Sequence, residues 1–319
     1  MKNSNILITG GAGFIGSHLA HSLKSYFKKI FIIDNLKTGD LRNLDSSFEF
    51  IESDCAFCDY EKYLKNVDNF DAILHFAGQS SAEISFKDPI YDFNSNLQST
   101  IKLLNFAKDK NVNSFVFASS VTVYKSGQEM PLSENSIVDN DNSFYAISKL
   151  ASEKYIKLFS SNKLHTTSLR LFNIYGSAQN LGNPNQGMLS IYLEQALNSN
   201  QILVKGSLDR TRDFVHVFDV VDIVKKVLRR NHENSKSINV CTSKPTKVKT
   251  LIDLICKNLN KDISIINAGS TKGDTFEHWG SNSLCEELLE KKSWISLKEG
   301  LIDTIKAFKN DKWFDDRIS

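Results

Sequence analysis

Tyr145 and Lys149 lie four residues apart in the run NSFYAISKLASEKYIKLF, residues 142–159. The run has helical periodicity, so the two side chains share one face, a turn apart. A phenol titrates near 10 in water and is a poor base at neutral pH. A neighbouring ammonium favours the phenolate and lowers that value. The pair therefore suits removal and return of a hydroxyl proton, which is general acid–base catalysis. Tyr and Lys are also common on helix surfaces, so the pair alone is ambiguous. Ser120, in FVFASSVTVY, closes an apolar run and can hold a substrate hydroxyl beside the phenol.

The segment LITGGAGFIGSHLA places Gly10, Gly13 and Gly16 between an apolar run and a helical pattern. Small residues there let the backbone approach a pyrophosphate, and a helix N-terminus offers free N–H groups and the positive end of its dipole. A second apolar run ends in Asp34, 18 residues beyond Gly16. In a dinucleotide fold a carboxylate at that place grips the adenosine ribose hydroxyls. It would repel a 2′-phosphate, and no Arg follows directly, so NAD is expected over NADP. With a nicotinamide cofactor the role of Tyr145 becomes definite, since it can take a hydroxyl proton while hydride leaves the same carbon. Asp54 ends the third strand-like run. It is either a solvated loop residue or a partner of the adenine amino group. Ligands collect at the C-terminal ends of such strands, which favours the second reading.

These residues need a scaffold, and the sequence predicts one. Short apolar runs at Asn5–Thr9, Ile30–Ile33, Phe48–Ile51, Ala72–Phe76, Phe115–Ala118 and Thr166–Leu171 alternate with helical patterns at Gly13–Tyr26, 94–110 and 143–160. Buried strands alternating with helices imply an α/β fold with a Rossmann-type, doubly wound parallel sheet and right-handed crossovers. The rhythm breaks after residue 172. GSAQNLGNPNQG reads as a long loop, followed by a helix at 188–198, a strand near 202–204, a helix at 219–230 and a strand SINV at 237–240. We expect a dinucleotide-binding domain over 1–172, with 208–243 packing back onto it. The rest of 173–319 would form a smaller α/β substrate lobe.

Bulk properties exclude several classes. The 319 residues carry a formal net charge of +2, which gives no basic field for nucleic acid. No apolar run approaches the roughly 18–20 residues that span a bilayer, and the N-terminus reads as a buried strand rather than a signal peptide. Five cysteines include one lone C-x-x-C, Cys55 and Cys58. Without further spaced ligands, this implies free thiols in a reducing cytoplasm and no metal.

In their order along the chain, TGGAGFIG, IIDNL, LHFAG, Asn96-x-x-x-Thr100, FASSVTVY, YAISK, LRLFNIYG, RDFVHVFDV and the C-terminal KGD…LKEGL resemble the extended short-chain dehydrogenase/reductase superfamily. Within it, the sequence is most similar to nucleotide-sugar epimerases of the UDP-glucose 4-epimerase type, over nearly the whole chain. The resemblance implies that Ser120, Tyr145 and Lys149 are catalytic and that Ser120, Thr122 and Tyr145 also touch substrate. It implies that Asn173 and Arg212 hold the diphosphate of a nucleotide sugar, UDP-hexose being favoured, and that Asp274 lies near the nucleotide ribose. An Arg can grip a diphosphate in a bidentate way. The alternative for Arg212 is a surface ion pair with Asp209 or Asp213. The NAD set comprises Gly10, Gly13, Phe14, Ile15, Gly16, Asp34, Asn35, Asp54, Cys55, Phe76, Ala77, Gly78, Tyr145, Lys149 and Phe172. A cytoplasmic homodimer built on the helices at 94–110 and 143–160 is implied too, with Ile101, Leu104, Ile156 and Phe159 as candidate contacts that could also be core. Polysaccharide biosynthesis is the setting the analogy suggests.

The chain departs from the family pattern in places. The arginine usual three residues before the Asp274 position is Thr271, with Lys272 beside it. Gln79 and Ser80 stand where many epimerases have a lysine, and Lys125 replaces the usual glycine after VY. Dehydratases of the superfamily carry an Asp-Glu pair just after the catalytic hydroxyl. Here those positions are Val121 and Thr122, which cannot expel water, so dehydration is rejected. Epimerisation through a 4-keto sugar is expected. A keto-sugar reductase or dehydrogenase is the alternative, with a uronic-acid decarboxylase and a non-catalytic cofactor-binding protein behind it. His278, four residues after Asp274, is bulky and favours a plain hexose over an N-acetyl sugar, unless it is only a loop histidine.

Overall fold

In β1 (Asn5–Thr9), Ile6 and Ile8 point to one face and Leu7 to the other, and all three are fully buried. A strand apolar on both faces must lie inside a sheet covered on both sides. The computed structural model describes residues 2–139, 141–183, 187–230, 235–269 and 275–309. After β1 come α1 (Phe14–Leu23), β2 (Lys29–Asp34), β3 (Glu49–Glu52), α2 (Tyr60–Leu64), β4 (Phe70–His75), α3 (Ala82–Lys87), α4 (Pro89–Phe93), α5 (Ser99–Asp109), β5 (Ser114–Ser120), α6 (Phe144–Phe159) and β6 (His165–Leu171). The chain continues through β7 (Asn173–Tyr175), α7 (Met188–Asn198), β8 (Gln201–Val204), β9 (Thr211–His216), α8 (Val217–Arg229), β10 (Lys236–Val240), β11 (Pro245–Lys247) and α9 (Val248–Leu259). It ends with β12 (Ser264–Asn267), β13 (Glu277–His278), α10 (Ser283–Leu289) and α11 (Leu297–Lys309).

The central sheet has seven strands in the order β10-β6-β5-β4-β1-β2-β3, all parallel. Order reverses at β1 and β4, so the crevice that receives a ligand opens between their C-terminal ends. One face is covered by α1 and α8, where Leu19 and Val224 join Ile6 and Ile8. The other face is covered by α5 and α6, where Leu104 and Ile156 join Leu7 and Phe115. A second core, under α7, α9 and α11, belongs to the C-terminal lobe. There β9 is the hub: it pairs with β7, β11 and β13. β10 pairs with β6, and α8 packs on α1, so the chain from β10 and α8 returns to the central sheet.

Two helices differ from expectation. The pattern read as Gly13–Tyr26 ends at Leu23. The helix read as 94–110 begins earlier, at Pro89, where Asp88 caps it by accepting from the Tyr91 N–H at 2.9 Å and proline fits the first turn. It then widens into a π turn at Asn94–Gln98 before α5. Ser99 Oγ donates to the Ser95 carbonyl at 2.7 Å and Thr100 Oγ1 to the Asn96 carbonyl at 2.6 Å, so side chains stabilise the widened turn.

Candidate active site

The loop between β1 and α1 is built for close backbone approach. Gly10 has φ +70°, a left-handed conformation that favours glycine. A Cβ on Gly16 would stand 2.1 Å from the Gly10 carbonyl oxygen. Only a glycine lets the first turn of α1 rest on the loop this tightly. Gly13 is the N-cap of α1 and offers no side-chain cap, leaving the first amides, those of Phe14 and Ile15 among them, for a ligand. Asp34 ends β2 and is nearly buried. Its carboxylate accepts from the Ala12 N–H at 3.0 Å and the Leu36 N–H at 2.9 Å. Burial raises its pKa, against these backbone donors. The acid is thus fixed against the glycine loop itself, where ribose hydroxyls would meet it.

Nearby cations are engaged elsewhere. Arg42 pairs with Asp40, and Lys37 sits over the Tyr91 ring at 3.3 Å from its centroid. The arrangement fits NAD and supplies no built cradle for a 2′-phosphate. Asn35 donates to Asp54 at 2.8 Å, and Asp54 also accepts from the Ala56 N–H at 2.9 Å, with buried Cys55 between. Phe76, Ala77 and Gly78 follow β4 across the crevice. A side chain on Gly78 would press within 2.6 Å of Asn96 Oδ1 and 3.3 Å of Lys149 Nζ.

Ser143 caps α6 by accepting from the Ala146 N–H at 3.1 Å, which sets the rotation of the helix. Tyr145 and Lys149 then face the sheet together and are almost wholly buried. Ser120, at the end of β5, accepts from the Thr122 amide and hydroxyl at 3.2 and 3.0 Å, and its hydroxyl favours the ionised form of the Tyr145 phenol. Lys149 Nζ donates to the Ala118 carbonyl at 2.9 Å and lies 5.9 Å from the Tyr145 ring centroid.

The electrostatics correct one expectation. Burial pushes the Tyr145 phenol up to about 12, with Ser120 opposing the shift and the Asp92 carboxylate adding to it. Burial lowers Lys149 to about 8, against the same carboxylate. Desolvation outweighs the pairing of phenol and ammonium until further positive charge enters the site.

From the second lobe, Arg212 enters a cleft of about 250 Å³ that Tyr145, Thr122 and His278 also line. Its guanidinium donates to the carbonyls of Thr211 at 2.7 Å and Thr275 at 2.8 Å. Asp209 pairs instead with Lys247, and Asp213 accepts from Thr242, so neither carries the surface ion pair considered for Arg212. Asn173 donates to the Asp213 carbonyl at 3.1 Å, and Phe172 packs toward His278 at 6.2 Å between ring centroids. Asp274, Thr271 and Lys272 lie outside the described residues. Among the described residues no cluster of His, Cys, Asp or Glu could hold a metal, and no helix is long and apolar enough to cross a membrane. The described cysteines are free thiols.

Sequence reasoning passed over Asp92 and Ser148, which form a buried polar group behind Tyr145 and Lys149 with Gln79, noted there only as a departure from the family pattern, and Asn96, noted only as a motif position. The usable signal was Asp92 and Asn96 spaced four apart, which puts two polar side chains on one helix face.

A dinucleotide cradle that meets Ser, Tyr and Lys across the C-terminal edge of a parallel sheet, under a separate lobe, is the arrangement of an extended short-chain dehydrogenase/reductase. The chain belongs to the NAD-dependent epimerase/dehydratase family, whose pattern matches residues 6–241. It is similar to the UDP-glucose 4-epimerase of Thermotoga maritima solved with UDP-glucose, at 28% identity and TM-score 0.91, covering 96% of this chain and 99% of that one. It is similar to a UDP-N-acetylglucosamine 4-epimerase from Methanobrevibacter ruminantium, solved with UDP-N-acetylmuramic acid, at 28% identity and TM-score 0.90, covering 98% and 100%. The Thermus thermophilus UDP-glucose 4-epimerase, solved with NAD, aligns at 27% identity and TM-score 0.86, covering 96% and 99%.

Proposed function

We propose that the protein is an NAD-dependent 4-epimerase of a UDP-hexose. The observation that carries this reading is that Tyr145 lines one cleft with Arg212 of the second lobe, while Lys149 is buried behind it on the Ala118 carbonyl and Ser120 is held beside Thr122. Bound NAD supplies a reversible hydride acceptor and a positive charge on the nicotinamide ring. Tyr145 takes the proton of the C4 hydroxyl as hydride leaves C4, giving a 4-keto sugar. Ser120 holds the oxygen, and Lys149 stabilises the phenolate. Arg212 and Asn173 grip the diphosphate while the keto sugar presents its other face, and Tyr145 then returns the proton as hydride comes back. Val121 and Thr122 offer no acid–base pair for expelling water. The test is to incubate the purified protein with UDP-glucose and follow products by NMR without added cofactor. The expected result is the C4 epimer with no net change in NADH. Stoichiometric NAD(P)H consumption with a keto-sugar nucleotide, and no epimer, would point to the reductase.

The protein acts as a homodimer in this reading. Phe144, Ile147, Tyr155 and Leu158 are exposed along one stripe of α6, and Ile90 and Phe93 along α4. Of the residues expected at the interface, Leu104 and Ile156 are instead fully buried in the protein's own core, because their helix positions face the sheet. Replacing Leu158 and Ile147 with Arg should yield a monomer by light scattering, because two charges would then have to be buried at the centre of an apolar patch. A double variant that still runs as a dimer would move the interface elsewhere.

A further inference from the structure

Asp92, on α4, is fully buried. A lone ionised carboxylate in that position would be costly, so its partners matter. One oxygen accepts from Gln79 Nε2 at 2.7 Å and Asn96 Nδ2 at 3.1 Å, and the other from Ser148 Oγ at 2.7 Å. Ser148 sits on α6 between Tyr145 and Lys149, so the contact reaches the catalytic turn itself. Asn96 lies in the π turn and also donates to the Gln79 carbonyl at 3.1 Å, closing the group.

Among the described residues, the other groups around Lys149 supply no compensating negative charge. From β4 comes His75, buried and held neutral, its pKa pushed down to about 3 by burial. From β5 come the Phe117 ring, 4.7 Å from Nζ, and the Ala118 carbonyl. On α6, Tyr145 is a neutral phenol and Glu153 is locked to Arg170 of β6 at 2.7 Å. On α3, Glu83 pairs with Lys87 at the surface, and on α5, Lys102 donates to the Cys58 carbonyl. From the turn after β5 comes the Thr122 hydroxyl, bonded to Ser120.

We propose that Asp92 is a positioning residue for this reaction: its buried carboxylate, tied to Ser148 between the two catalytic side chains, keeps Lys149 an ammonium and holds the catalytic turn of α6 against α4. Burial raises the Asp92 pKa, and the donors Ser148, Gln79 and Asn96, with the Lys149 charge, oppose that shift in favour of the carboxylate. The sign is fixed by charge. A negative group beside Lys149 favours its protonated form, and one beside Tyr145 disfavours the phenolate. Asp92 thus also keeps Tyr145 a phenol until the nicotinamide charge arrives.

The catalytic part rests on the epimerase reading, so the test has one readout that needs no activity. Lysine is labelled with 13C at Cε, and the Lys149 resonance, identified by its loss in Lys149→Arg, is titrated in the wild type and in Asp92→Asn. The isosteric amide keeps hydrogen-bonding capacity and removes the charge. The Lys149 midpoint should lie near 8 in the wild type, and fall by about one pH unit or more in Asp92→Asn. Ser148→Ala, which leaves the carboxylate in place, should move it far less. Turnover of Asp92→Asn should fall about tenfold or more at pH 8 with KM nearly unchanged. If Asp92→Asn does not fold, Gln79→Met takes one hydrogen bond from the carboxylate and should lower the midpoint in the same direction. An unmoved midpoint in either variant overturns the proposal, and so does an equal loss of activity in Asp92→Asn and Ser148→Ala with KM raised in both. A midpoint shift in a protein that epimerises no sugar nucleotide would sink the functional reading and leave the Asp92–Lys149 coupling standing.

Discussion

Tyr145→Phe should lower epimerase turnover by about 10²–10⁴-fold, the range expected when a positioned acid–base group is removed. The phenyl ring fills the same buried space, so folding and NAD content should be retained. Substrate affinity should change little, because Arg212 and Asn173 are untouched. The pH profile makes the prediction sharper. In the protein without cofactor the phenol is held at about 12 by burial. The reaction needs the phenolate, so the rate should rise with pH until the phenol has ionised. The positive nicotinamide ring brings that limb toward neutrality. In Tyr145→Phe the acidic limb should vanish along with most of the rate. Measured kcat over pH 5.5–9 for both proteins decides it. A variant that keeps the wild-type rate and limb would remove Tyr145 from the mechanism and pass the proton to another group.

Much of this site was legible in the sequence because its parts carry strong local signatures. Parallel strands buried on both faces must be apolar throughout, so NILIT and KIFIID announce themselves, and glycines set between such a strand and a helix mark a phosphate-binding turn. Tyr145 and Lys149 fall on one helix face by spacing alone. What stayed hidden depends on contacts across the chain. The strands β7, β11 and β13 are two or three residues long, too short for any periodicity to register. Yet their pairing with β9 is what sets Asn173 beside that strand and holds Arg212 at the cleft. Asp92 sits in the ordinary-looking PIYDFN, and nothing local says that its carboxylate meets Ser148, 56 residues away. The sign of the Tyr145 shift failed for the same reason: proximity to Lys149 was readable from spacing, whereas desolvation is a property of everything packed around both.

The glycine loop gives the second large effect, and it is graded by geometry. At Gly16 a Cβ would fall 2.1 Å from the Gly10 carbonyl oxygen and 2.9 Å from Gly11 Cα. These are backbone atoms, so relief requires α1 to lift off the loop. At Gly13 the nearest atom is the same Gly10 oxygen, but at 3.2 Å, a contact that a small shift can absorb. Gly16→Ala should therefore cost about 3 kcal/mol or more as overpacking, visible as a Tm lower by several degrees. It should also separate the helix N-terminus from the pyrophosphate. Losing two charge-assisted hydrogen bonds, at about 1.5–3 kcal/mol each, weakens NAD binding by about 10²-fold or more. Gly13→Ala should lose far less of both. Calorimetric titration of NAD into the two variants, after stripping bound cofactor, separates the cases. Equal affinities would mean that the close packing of α1 on the loop does not form the pyrophosphate site, and the amides that hold the cofactor would have to be sought beyond the first turn of α1.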